Sequence, residues 1–101
     1  GQAAWLVAAE PGKARKVTHA KDYDDPEKHK GRSVIVVGGR SSAVDIAREL
    51  RGRASWVYVL EKGCQEVRTV GACTHVPFGA ELGEDGFVRV GGEVVTGDPV
   101  D

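Results

Sequence analysis

The residues of this chain whose type and spacing could do chemistry begin with Gly38-Gly39-Arg40-Ser41-Ser42-Ala43, a glycine-led turn between a β-branched run and a helical pattern. In a turn of this kind a first glycine allows the sharp bend, a second lets backbone approach a diphosphate, and a small third residue keeps helix and strand close. The amide groups and dipole at the helix start then hold the negative charge. Gly38 suits the first position and Ala43 the last. Arg40 stands where the second glycine belongs, so its side chain either obstructs the diphosphate or grips it through the guanidinium. Gly39, Ser41 and Ser42 complete the candidate phosphate contacts, and both serines also read as helix caps.

Glu61 follows Gly38 by 23 residues, and Lys62 comes directly after it. In dinucleotide-binding turns an acid about 20 residues on takes the ribose 2′-hydroxyl of NAD, whereas a basic residue accommodates the 2′-phosphate of NADP. Glu61 and Lys62 therefore argue for opposite cofactors, and both also fit an ordinary solvated strand end. Cys64 and Cys73 are too far apart for a C-x-x-C pair. Cys73 and His75 could offer two metal ligands but lack the remaining partners of a four-ligand site, so no metal is expected and both thiols are read as reduced.

These residues need elements to position them. Ser33-Val34-Ile35-Val36-Val37 is a continuous β-branched run, the pattern of a strand buried on both faces. Ala43, Ile46, Ala47 and Leu50 share one face of a helix over 42–51; Ser42-Ala43-Val44-Asp45 has the form of a capping box, and Gly52 is placed to close the helix. Ser55-Trp56-Val57-Tyr58-Val59-Leu60 is a second strand. Strand, helix and strand form a βαβ unit whose crossover should be right-handed, with the two strands parallel. Beyond Gly63 the pattern reads as antiparallel, with 87–90 and 93–96 joined through Gly91-Gly92 as a hairpin. Trp5-Leu6-Val7-Ala8-Ala9 reads as a short strand, and 11–32 as a polar, basic loop.

Composition bounds the rest. At 101 residues, 41% hydrophobic and 29% charged, the chain is about one domain of ordinary composition, not low-complexity or disulfide-dense. No apolar run approaches the roughly 20 residues of a membrane span, and 1–10 lack the form of a signal peptide. A cytoplasmic-type domain is expected. Net charge is −1, yet residues 1–53 carry +4 and 54–101 carry −5. Such a basic half attracts phosphate-bearing ligands or simply faces its acidic counterpart. Asp22, Asp24, Asp25 and Glu27 interrupt any stripe of the nucleic-acid-binding kind.

The stretch Asp22-Tyr23-Asp24-Asp25-Pro26-Glu27-Lys28-His29-Lys30-Gly31-Arg32, followed by Val34-Ile35-Val36-Val37-Gly38 and Ser42-Ala43-Val44-Asp45-Ile46-Ala47-Arg48-Glu49-Leu50, resembles the flavin-containing monooxygenases. In that family an R-D-Y-R-D-P-E-x-F-K-G-K segment leads into V-L-V-V-G-x-G-x-S-G-x-D-I-A-x-E-L. The resemblance spans Thr18 to Tyr58 and, more loosely, continues to Asp101. His19 and Tyr23 match the second half of the family fingerprint F-x-G-x-x-x-H-x-x-x-[YW], whereas Lys13 and Arg15 stand at its Phe and Gly positions. Arg40 replaces the second glycine of the turn, and Glu61-Lys62 stands where the family usually shows arginine.

The resemblance implies the NADP(H)-binding portion of a longer protein that holds FAD in another domain and oxygenates small molecules at a nucleophilic nitrogen or sulfur. The partner would then be the FAD-binding domain of the same parent chain, and this stretch alone should not oxygenate anything. The expected fold is α/β: residues 1–32 as a connecting segment, then 33–101 as an incomplete Rossmann-like nucleotide-binding domain, its βαβ unit followed by a hairpin. The candidate cofactor residues are Gly38, Gly39, Arg40, Ser41, Ser42, Glu61 and Lys62, with no catalytic residue among them. Two other readings fit the residues: the pyridine-nucleotide domain of a disulfide-reductase-like flavoprotein, and a binding-only module whose nucleotide site has decayed.

Overall fold

A computed structural model describes residues 22–38 and 43–100, and the backbone of 5–8, 16–19 and 41–42. Its elements are β1 (Trp5–Ala8), β2 (Lys16–His19), β3 (Ser33–Val37), α1 (Ser41–Leu50), β4 (Trp56–Glu61), β5 (Arg68–Val70), β6 (Cys73–Pro77), β7 (Glu81–Leu82), β8 (Val88–Val90) and β9 (Glu93–Val94), with a 3-10 turn at Pro26–His29. Six strands form a mixed sheet in the order β2-β1-β3-β4-β6-β5, and β7-β8-β9 form a separate antiparallel sheet.

The β-branched run of β3 pairs in parallel with β4, Ser33 opposite Trp56 and Val37 opposite Leu60, and α1 carries the chain between them as expected. Alternation along these strands sorts the core into two clusters, because successive side chains point to opposite faces. Val34, Val36, Val57, Val59 and Cys73 pack with Ala43, Ile46, Ala47 and Leu50 of α1. Ile35, Tyr58 and Val76 pack on the other face with Val88 and Val100, and Leu82, Val90 and Val95 close over them. The result is three layers: helix, mixed sheet, small antiparallel sheet.

Gly52, at φ +92°, ends α1, and the Arg53 and Ala54 amides return to the Leu50 carbonyl. The expected β8–β9 hairpin turns through Gly91 and Gly92, both at positive φ, the requirement of a type I′ turn.

Two expectations are corrected. Lys16–His19 is not loop: it pairs antiparallel with β1, which in turn pairs antiparallel with β3. Its lysine and histidine disguise a strand, since charged residues suit an outermost strand open to water. Nor is the chain beyond Gly63 wholly antiparallel, because β6 joins β4 in parallel while β5 folds back on β6 through Gly71 at φ +61°. Cys73-Thr74-His75-Val76-Pro77 has too mixed a composition to announce a strand, yet Cys73, Thr74 and Val76 are buried.

Polar tips fasten the small sheet's trailing segment to the large one. The Tyr58 hydroxyl donates to the Asp98 carbonyl at 2.5 Å. Thr74 Oγ1 donates to the Thr96 carbonyl at 2.6 Å and accepts from Trp56 Nε1 at 3.0 Å. Gly97 lies beneath these rings, where an added Cβ would collide with the Tyr58 hydroxyl and sit 2.6 Å from Trp56 Nε1. Because Tyr58 is fully buried, it has little room to yield.

Gly97→Ala is accordingly expected to lower stability by about 1–3 kcal/mol more than Gly71→Ala, whose Cβ meets open space, as urea unfolding would measure. A second expectation concerns alkaline pH, since the chain has two tyrosines. Burial, reinforced by Asp98, pushes Tyr58 up to about 12; burial, reinforced by Glu49 and opposed by Arg53, does the same for Tyr23. An unfolded tyrosine ionises near 10, so the folded state's advantage is complete below about pH 10 and is lost as pH rises from about 10 to about 12. The urea midpoint should fall across that window, with phenolate absorbance appearing together with unfolding.

Candidate functional site

Of the sequence-predicted residues, Gly38, Ser41, Ser42, Glu61 and Lys62 fall at one end of the sheet, where the parallel strands β3 and β4 end and α1 begins. Gly38 is buried at the end of β3, and its amide donates to the Leu60 carbonyl of β4 at 3.1 Å. Ser41 and Ser42 supply the first backbone turn of α1, so their amides open at this edge. Gly39 and Arg40 lie outside the described residues, as do Lys13 and Arg15. Lys62 is exposed immediately after β4.

Glu61 is placed differently from a free ribose acceptor. Its Oε1 lies 2.6 Å from His75 Nδ1, and both side chains are largely shielded, at 29% and 21% exposure. Register explains the meeting: Val59 of β4 pairs with His75 of β6, so Glu61 and His75 fall on one face, two residues apart along the strands. A carboxylate only accepts, so Nδ1 carries the hydrogen, and in that tautomer Nε2 is an acceptor. That nitrogen faces Cys73 Sγ at 3.8 Å. Burial pushes the Cys73 thiol up, Glu61 adding to the effect while Arg51 and Arg68 oppose it.

Cys73, His75 and Glu61 line one wall of a cleft of about 80 Å³, whose opposite wall is formed by Val44, Ala47 and Arg48 of α1 and by Arg51 just after it. That volume exceeds what one water needs, so a small molecule fits. Sequence reading paired Cys73 with His75 only as metal ligands and missed Glu61 as the third member. The signal lies in the register of β4 and β6, which requires β6 to be recognised first. Among the described residues no three His, Cys, Asp or Glu side chains converge in a way that could hold a metal. Cys64 belongs to neither group: its thiol donates to the Glu66 carbonyl at 3.1 Å along the open loop after β4.

The segment before β3 is a packed corner. Asp25 caps the 3-10 turn by accepting from the Glu27 amide at 3.0 Å, and Pro26 begins that turn. Glu27 pairs with Arg53 at 2.8 Å, and Asp24 with Lys28 at 2.8 Å. Several charges of the basic half are thus answered within that half. Tyr23 stacks on His29 with ring centroids 6.3 Å apart and packs against the helix-side core.

No helix among the described residues is long and apolar enough to cross a membrane. No family model, curated protein or solved structure matches the chain.

Proposed function

We propose that this chain is the NADP(H)-binding portion of an FAD-dependent monooxygenase that oxygenates small molecules at a nucleophilic nitrogen or sulfur. The observation that carries the reading is the start of α1 at the edge where parallel strands β3 and β4 end, with Gly38 buried between them. Crevices at the carboxyl ends of parallel strands are where dinucleotides bind in Rossmann-like folds, and the parallel run β6-β4-β3 supports the reading, although strand β5 and not a helix leads from β4 to β6. The same sequence stretch that resembles the flavin-containing monooxygenases builds the packed corner, β3 and α1.

Gly38 at the end of β3 and the backbone of Ser41 and Ser42 at the start of α1 are what supports a dinucleotide here. The amides of Ser41 and Ser42 would hold the diphosphate, with Gly38 ending β3 beneath it. Because Glu61 is engaged by His75, exposed Lys62 is the group better placed to meet a 2′-phosphate, which favours NADP over NAD. When bound, the nicotinamide supplies a hydride to a flavin, which must be held by residues other than these. The part left to this chain is binding and orientation.

Calorimetric titration with both cofactors tests the reading. Weak but measurable binding is expected, with NADP preferred by less than about tenfold, because exposed charge pairs contribute only about 0–1 kcal/mol. Arg40→Gly is expected to tighten binding by restoring close backbone approach. Weaker binding on that substitution would make Arg40 a phosphate ligand. If neither protein bound either cofactor, even joined to an FAD-binding domain, the decayed-site reading would stand instead.

A further inference from the structure

We propose that Cys73, His75 and Glu61 form a thiol–imidazole–carboxylate relay, making Cys73 a nucleophile toward small, negatively charged electrophiles that enter the cleft between α1 and β6. The inference is independent of cofactor binding, since it uses the face of β4 and β6 under α1 and not the turn at Gly38.

Three observations converge on it. The first is the ordered chain of contacts from Glu61 Oε1 to His75 Nδ1 at 2.6 Å and from His75 Nε2 to Cys73 Sγ at 3.8 Å, a nucleophile, a base and a group that orients the base. Nucleophile–base contacts of this kind are often long before a reactant is bound. The second is the cleft itself, about 80 Å³, which Cys73 lines together with His75 and Glu61 although Cys73 is only 1% exposed. The third is charge: Arg48 and Arg51 line the facing wall, and neither has an ion-pair partner among the described residues. An anionic reactant in the cleft would meet two cationic residues on the wall facing Cys73.

Burial keeps the resting thiol protonated, so the reaction needs a base at the moment of attack, and His75 Nε2 is the group in place. With a haloacetate as electrophile, sulfur forms a bond to the methylene carbon as the carbon–halogen bond breaks. Halide leaves with its electron pair, and the thiol proton passes to Nε2. Glu61 is a positioning residue: it fixes the hydrogen on Nδ1 and stabilises the imidazolium that forms.

The experiment is alkylation of the folded protein by iodoacetate and, separately, by iodoacetamide, with Cys73 and Cys64 followed in the same sample by peptide mass spectrometry. Cys64 serves as the internal reference. The ratio of iodoacetate to iodoacetamide rates should be larger at Cys73 than at Cys64. Replacing both Arg48 and Arg51 by Gln should lower the iodoacetate rate at Cys73 by a larger factor than its iodoacetamide rate, since both rates share the loss of Arg51's pull on the thiol and only the first loses attraction for the reagent. His75→Gln should slow Cys73 with both reagents by at least about tenfold while Cys64 is unaffected. Nitrogen-15 correlation spectra should show His75 protonated at Nδ1, and Glu61→Gln should give a mixture of tautomers.

Cys73 modified only after unfolding, or at the same rate with His75→Gln as without it, would overturn the proposal. Should His75→Gln fail to fold, the rate ratio in the unaltered protein still decides: equal ratios at the two cysteines would overturn the proposal.

Discussion

Burial of β4 on both faces is the constraint from which the rest of this structure follows. Val57, Tyr58 and Val59 are each at most 1% exposed, so consecutive side chains on opposite sides of the sheet are both removed from water. A backbone so enclosed must satisfy its amides and carbonyls within the protein. The β3 and β6 ladders do that on its two edges. Its side chains then require a cover above and another below. The amphipathic α1 provides the first; the second is β7-β8-β9 with the segment through Val100, laid down by the Tyr58 and Thr74 hydroxyls. Helix, partner strands and small sheet are answers to one demand.

What the amino-acid order disclosed is the part whose pattern is internal to a segment. The run 33–37, the helical face of Ala43, Ile46, Ala47 and Leu50, and the Gly91-Gly92 turn each carry their own evidence within a dozen residues. What stayed hidden depends on partners distant along the chain. Lys16–His19 is a strand because β1 offers it an edge, and Cys73–Pro77 is one because β4 does. The site divides the same way. Gly38 and the helix start were legible because turn chemistry is local. The meeting of Glu61 with His75 was not, since it rests on a parallel register between strands separated by a hairpin.

The end of β4 is used twice. The Leu60 carbonyl receives the Gly38 amide on the β3 side, and the next residue, Glu61, reaches His75 on the β6 side. Strand alternation separates these neighbours, so Leu60 joins the core beneath the sheet while Glu61 opens into the cleft beside α1. The helix start and the cleft beside α1 are therefore served by different atoms of one strand end.

The hairpin that returns the chain into β6 leaves β5, a strand of three residues, as one outer edge of the sheet, with Arg68, Thr69 and Val70 all exposed. An unpaired edge is a template on which another chain can add. Here the template is short, and it opens with a cation that an incoming apolar strand would have to bury beside its own backbone. Self-templating from that side is therefore curtailed by length and charge. Within β5, the half-exposed Val70 at its far end is the apolar foothold left to a visiting strand.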